Sequence, residues 1–244
     1  MKQNIYDNEI FFQGYKALRQ NDTGLNGALE MPAIQAQLPH LDGLHVLDIG
    51  CGFGDFTRLA RSLGAATVTG VDVSARMISE ARTLTDDPWI RYHQTAIEDF
   101  VPDEASFNLV VSSMALHYVS DYAQVIDRIY RALKPAGRLV FSVEHPVCTA
   151  ASIGWITDER GNLRHWPLDR YGDESMRSTR WFVDGVVKYH RTVASYVNIL
   201  LQAGFQLTHL GEPVPEPKLA ANRPELEGHL RRPPVLLLSA KKTE

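Results

Sequence analysis

The stretch VLDIGCGFGDF (46–56) leaves an apolar, β-branched run, crosses three alternate glycines and enters a helical pattern continued by Phe56, Leu59, Ala60 and Leu63. It reads as strand, glycine turn, helix. Glycine lets the backbone approach a ligand without a Cβ, and open α/β sheets bind ligands beyond the carboxyl ends of such strands. The spacing is Gly50, Gly52, Gly54, and Asp55 stands where a dinucleotide fingerprint has its third glycine. An acid beside the helix N-terminus opposes a pyrophosphate, so a ligand without phosphates fits better. The next strand, Ala66–Val73, ends in VTGVDVS and puts Asp72 twenty residues after Gly52. A carboxylate there can accept both hydroxyls of a ribose; the competing reading is a helix N-terminal charge, since Ser74 follows.

Outward from this unit, the chain alternates strands with helical faces. Met77, Ile78, Ala81 and Leu84 form one face, Ile90–His93 a short strand, and FNLVVSS (107–113) the fourth strand. Tyr122, Val125, Ile126, Ile129 and Leu133 form the next helix, ended before Pro135–Gly137, and RLVFSVE (138–144) is the fifth strand. Alternation of this kind implies parallel pairing in a doubly wound sheet covered on both faces. FQLTHL (205–210) and VLLLSA (235–240) finish the sheet, after a helix over Val193–Leu201 and with a Pro-rich connection (213–234) between them.

Two segments fall outside the alternation. Residues 5–38 read as two helices, one of them carrying Tyr15 and Arg19 one turn apart. Residues 147–190 lack a regular pattern yet hold Trp155, Trp166 and Trp181 with Tyr171 and Tyr189. Disordered linkers lack such aromatic content, so this stretch reads as an ordered lid or small subdomain. The expected organisation is one domain: a helical cap (1–40), a cofactor-binding core (41–146), an acceptor-side insertion (147–190) and the rest of the core (191–244).

The 244 residues carry a net charge of −4, so no bulk field attracts nucleic acid or an anionic membrane surface. The two cysteines, Cys51 and Cys148, lie far apart, and the nine histidines are scattered without a close pair. A reducing, cytoplasmic setting without a metal site is expected. Asp7 and Glu9 interrupt the start before any apolar run, unlike a secretory signal, and no apolar stretch is long enough to span a bilayer.

Four ordered blocks, VLDIGCGFG, VTGVDVSARMI, AIEDF…PDEASFNLVVSSMALHYV and RALKPAGRLVFSVEHP, resemble the class I S-adenosylmethionine (SAM)-dependent methyltransferases. The detail is most similar to the small-molecule branch with ubiquinone/menaquinone-type enzymes. That resemblance implies a Rossmann-like, seven-stranded, mostly parallel sheet with an antiparallel last strand, and SAM across the strand ends. It implies Asp48, Gly50, Cys51 and Gly52 around the methionine portion and ribose, and Asp72 on the ribose diol. Val73 and Met77 would lie against adenine, although Met77 reads equally as core. Ile97 would offer its N–H to adenine, and the carbonyl of Ser112 or Ser113 would receive the methionine ammonium, with Met114 and His117 nearby. Where relatives often carry an acid for the adenine amino group, this chain has Ala96; Glu98, Asp99 or water then takes that bond. The N-terminal Tyr15 and Arg19 would cover SAM or the acceptor, or simply pack and face solvent.

An acceptor that must lose a proton needs a base, and histidine suits neutral pH. His145, directly after the fifth strand, is the first candidate, with His117 and His190 behind it; each reads alternatively as a structural histidine. Glu144 would orient His145 or bind a cationic acceptor. The aromatic insertion suits a planar ring, although its acids and bases balance and its aromatics would equally build a satellite core. The expected activity is methyl transfer to O, N or C of a small aromatic or heteroaromatic metabolite. The rivals are a non-catalytic SAM-binding sensor or scaffold and a nicotinamide-dependent oxidoreductase. A monomer is the default, with a homodimer through the insertion the alternative.

Overall fold

A computed structural model describes residues 3–20, 25–150 and 154–243; parts of the expected cap and insertion lie outside these. Seven strands form one sheet: β1 (His45–Ile49), β2 (Thr67–Asp72), β3 (Ile90–Gln94), β4 (Phe107–Ser112), β5 (Leu133–Glu144), β10 (Phe205–Gly211) and β11 (Val235–Lys242). Their order is β10-β11-β5-β4-β1-β2-β3. The five strands from β3 to β5 are mutually parallel, and β11 runs antiparallel between β5 and β10. The chain steps outward from β1 to β3 and then crosses back to β4. The loop after β1 therefore sits at the point where strand order reverses, the usual ligand crevice of such sheets.

Period-two alternation feeds two cores. Leu47, Ile49, Val71 and Val110 join Tyr122, Ile126, Tyr196 and Leu200 on one face, from helices α5 (Tyr122–Ala132) and α7 (Val193–Gln202). Val46, Val68, Leu109 and Val111 join Ile34, Phe56, Ala60, Ile78 and Ala81 on the other, from α2 (Met31–Gln35), α3 (Asp55–Ser62) and α4 (Ala75–Thr83). Strands buried on both faces explain the near-continuous apolar runs that made them readable. The fifth strand begins at Leu133, five residues before its expected start, because Leu133 already pairs with Phe107.

The N-terminal helix α1 (Glu9–Gln20) lies over α3 and α4. Asp7 caps α4: its carboxylate accepts Ser74 Oγ–H and the N–H groups of Ala75 and Arg76. Lys16–Glu80, Arg76–Glu9 and Arg19–Asp55 ion pairs fasten the helix further. The aromatic insertion is two antiparallel hairpins, β6 (Ile156–Thr157) with β7 (Leu163–His165) and β8 (Met176–Trp181) with β9 (Val183–Tyr189). A short helix, α6 (Pro146–Thr149), precedes them, and the Pro-rich connection folds into α8 (Pro217–Asn222) and α9 (Glu227–Arg231).

Gly54 begins α3 at φ +76°, and a Cβ there would lie 2.1 Å from the Tyr92 hydroxyl. That hydroxyl is held by Thr57 at 2.6 Å and Thr85 at 3.0 Å, so it has no free direction in which to retreat. Gly54→Ala is expected to destabilise by about 2 kcal/mol, from left-handed strain plus the clash. Thermal unfolding of Gly54→Ala with and without Tyr92→Phe checks this: the second change should recover part of the loss by removing the clashing oxygen.

Candidate functional site

After β1 the backbone turns sharply, and the N–H groups of Gly50 and Cys51 both donate to the Val71 carbonyl at 2.8 and 3.0 Å. Gly50 has φ +75°, and a Cβ would come 2.4 Å from that of Ala115. A Cβ on Gly52 would meet nothing within 4 Å, since this residue borders a cleft. The Gly52 N–H donates to Asp72 Oδ2 and the Ser74 N–H to Oδ1, both at 2.9 Å. Asp72 thus ties the end of β2 to the glycine turn and to the start of α4. Burial raises its carboxyl, and the donors from Ser74 and Gly52 oppose that rise.

Asp48, at the end of β1, is 1% exposed, and its Oδ2 has no hydrogen-bond partner among the described residues. Burial, then the charges of Asp72 and Asp55, hold its carboxyl well above the ordinary range. A buried orphan oxygen near a second, partly buried carboxylate is costly by itself. A cationic ligand relieves that cost.

Three connecting hollows surround these acids. One, of about 410 Å³, runs past Asp72 and Val73 to Ala96, Ile97 and Glu98, under Tyr6 and Tyr118. A small one lies among Tyr15, Arg19, Asp48, Cys51 and Asp55. The largest, of about 560 Å³, joins Asp72, Met77, Ser113 and Met114 to His117, Glu144 and the aromatic insertion. The expected cofactor residues therefore border this connected space, with one exception. Ser112 borders none of these hollows, and its buried hydroxyl donates to the Ile49 carbonyl at 2.9 Å, joining the ends of β4 and β1. Met77 is buried with Phe12 and Phe53 and also reaches the cleft. Tyr15 lies beside Phe53, ring centres 5.8 Å apart, and Arg19 pairs with Asp55 at 2.6 Å.

Glu30 went unread in the sequence. It is 3% exposed and accepts hydrogen bonds from Ser113 Oγ at 2.6 Å, Asn26 Nδ2 at 3.0 Å and Ser142 Oγ. Its Oε1 partners lie far away in sequence, so no local motif announces it. Met114 adopts φ +51°, a strained backbone pinned by bonds from its N–H to both oxygens of Ser142.

The candidate bases separate clearly. His145 does not border the cleft: its Nδ1 accepts the Val147 N–H, capping α6, and its Nε2 bonds Glu212 at 2.8 Å. His190 is equally engaged, with Thr149 Oγ1 at 2.6 Å and the Tyr171 carbonyl at 2.9 Å. Both rings are spent on structure, which corrects the order expected from sequence. His117 does face the cleft, on the 3₁₀ turn Leu116–Tyr118, and is 2% exposed. Burial, then the charges of Lys188 and Arg191, depress its pKa well below 6.5. Its Nδ1 accepts the Glu144 N–H at 3.3 Å, so the neutral ring carries its proton on Nε2. Glu144 forms an ion pair with Lys188 and does not orient His145.

Residues 47–141 match the model of a methyltransferase domain. An S-adenosylmethionine-dependent methyltransferase from Mesorhizobium loti superposes with a TM-score of 0.84 at 44% identity, covering 90% of this chain and all of that one. A Listeria monocytogenes protein assigned to the same enzyme class gives a TM-score of 0.82 at 44% identity, covering 88% and 98%. A Haemophilus influenzae protein without assigned function is 32% identical over 100% of this chain and 98% of its own. With paired acids and a glycine turn at the switch point, and such likeness along nearly the whole length, the chain belongs to the SAM-dependent methyltransferases.

Proposed function

We propose that this enzyme methylates a small molecule bound between the glycine turn and the aromatic insertion. The observation that carries the reading is the orphaned Asp48 carboxylate beside Asp72, opening into a cleft that continues to the insertion. The residues present fit SAM: the buried Asp48 and the partly buried Asp72 suit a ligand bearing ammonium and sulfonium charges, and the open space at Gly52 leaves room for its backbone to approach. When bound, SAM supplies a methyl group activated by a positive sulfur.

The residue roles follow from the same logic. Asp72 still has lone pairs beyond its two backbone donors, enough to accept a ribose diol. Asp48, Gly50, Cys51 and the carbonyl of Ser113 would surround the methionine portion, with Arg19 and Tyr15 above it. Val73, Ile97 and Glu98 would line the adenine end. His117, neutral and protonated on Nε2, would donate a hydrogen bond to the acceptor rather than remove its proton. The Glu144 carboxylate, paired with Lys188, stands next to it on the same hollow. The N-terminal helix would close the cofactor half, and the hairpins of residues 147–190 the acceptor half. Two buried free thiols, Cys51 and Cys148, suit a reducing cytoplasm.

Calorimetric titration tests the cofactor assignment. SAM should bind and NAD should not, and Asp72→Ala should weaken SAM by about 10- to 100-fold through lost charge-assisted hydrogen bonds. Unchanged SAM affinity in that variant would sink the role of Asp72.

The buried Asp48 carboxyl makes the stability of the fold depend on pH. Its pKa is raised in the fold, so its contribution to stability is full below the ordinary carboxyl range and is lost as pH rises through the raised value. Asp48→Asn should therefore raise the melting temperature of the free protein more at about pH 8 than at about pH 5, while weakening SAM binding. A lower melting temperature at both pH values would contradict this.

For His117 the depressed pKa means that stability is lost as pH falls below about 6.5, where only the unfolded ring takes a proton. Its ring resonance should show no titration between about pH 6 and 8 by NMR. A midpoint near 6.5 would return it to the candidate bases.

A further inference from the structure

We infer that the acceptor carries an anionic group, a carboxylate, received by Arg232 at the far end of the cleft. This rests on the methyltransferase reading above and adds the chemical class of the acceptor. Arg232 follows α9 and borders the large hollow. Its guanidinium carbon lies 4.0 Å from the centre of the Trp166 ring, so one face is fixed by a cation–π contact. Its Nη2 donates to His229 Nδ1 at 3.1 Å. That imidazole is neutral at physiological pH, its pKa lowered to about 4 by burial and by Arg232 itself. The Nε of Arg232 is buried without a partner.

The adjacent arginine shows what a structural guanidinium looks like at this place. Arg231 lies over Trp155 at 4.9 Å and donates to the carbonyls of Leu163 and Arg164, fastening the β6–β7 hairpin. Arg232 has no such carbonyls, and no ion pair to it occurs among the described residues. The other cations bordering the cleft each have an acid at hand: Lys188 pairs with Glu144, Arg19 shares Asp55 with Arg58, and the exposed Arg180 lies 3.6 Å from Asp184. Glu212 does not border the hollow and bonds His145 Nε2 at 2.8 Å.

A partly buried guanidinium without a counter-charge is unfavourable, and an arriving carboxylate offsets that cost with charge-assisted hydrogen bonds to Nε and its neighbour. The cleft is therefore polarised. Acids (Asp48, Asp72, Glu30) stand at the cofactor end and suit a cation, whereas Arg232 at the opposite end suits an anion and repels a cationic acceptor.

The test uses the full chain saturated with S-adenosylhomocysteine, with tryptophan fluorescence as readout. The probes are two acid and amide pairs: benzoate with benzamide, and fumarate with fumaramide. At least one acid should bind about tenfold or more tighter than its amide. Arg232→Gln should abolish that preference and Arg232→Lys should keep part of it, with S-adenosylhomocysteine affinity within about twofold of wild type in both. Equal binding of acid and amide, no binding of either acid, or a preference that survives Arg232→Gln would each overturn the inference. Failure of the wild-type protein to bind S-adenosylhomocysteine would instead overturn the cofactor reading.

Discussion

The carboxylate of Asp72 is the joint on which this site is assembled. It holds the glycine turn after β1 through the Gly52 N–H and the first turn of α4 through the Ser74 N–H. Two neighbouring βα units are thereby fixed relative to one another where the strand order reverses. The same side chain borders the cleft, so one residue both builds the turn and lines the hollow. The Asp7 carboxylate repeats the device one layer out, capping α4 from the N-terminal segment. Acids at the start of that helix thus draw the cap, the glycine turn and the sheet together, with the helix dipole favouring each.

The cost of this arrangement falls on Asp48. In a protein shaped only for stability, a buried carboxyl with an orphan oxygen beside another acid would be replaced by an amide or an apolar group. In the role proposed for Asp48, that cost is affinity held in reserve for a cationic ligand. Glu30 is the opposite case, a buried acid with three donors around it, and it braces the strained Met114 turn through Ser113 and Ser142. Burial alone does not separate the two: Glu30 has donors on both oxygens, whereas Asp48 Oδ2 has no partner among the described residues.

What the sequence makes legible follows the range of the interactions involved. The strands of the central sheet are apolar on both faces, and the glycine turn is a contiguous string, so both can be read along the chain. Asp72 is readable because its partner, Gly52, is one βα unit away. Glu30 and Arg232 are not, because their meaning comes from Ser113, Ser142, Trp166 and His229, brought near by the fold. The histidines make the same point. His145 has the better position in the sequence, directly at a strand end. Its ring is claimed by its own helix cap and by Glu212, which arrives just past β10, leaving the cleft to His117. The hairpins β6–β9 escaped notice because their strands are largely exposed, and one-sided contact with a neighbouring layer leaves a weak alternating pattern.

Those hairpins also explain why the two halves of the cleft form one device. Trp181, on β8, meets Phe11 edge-on at 5.1 Å and Tyr15 at 5.9 Å, both from α1. Gln3 adds two bonds to β9, one to the Gly185 carbonyl and one from the Val187 N–H. Aromatic pairs of this geometry contribute about 0.5–1.5 kcal/mol each beyond their buried area. Moving α1 off the glycine turn therefore breaks contacts with β8 as well. Conversely, displacing β8 removes the ring against which Tyr15 rests. Helix α1 and the β8–β9 hairpin share one aromatic cluster, so order in either is supported partly by contacts in the other.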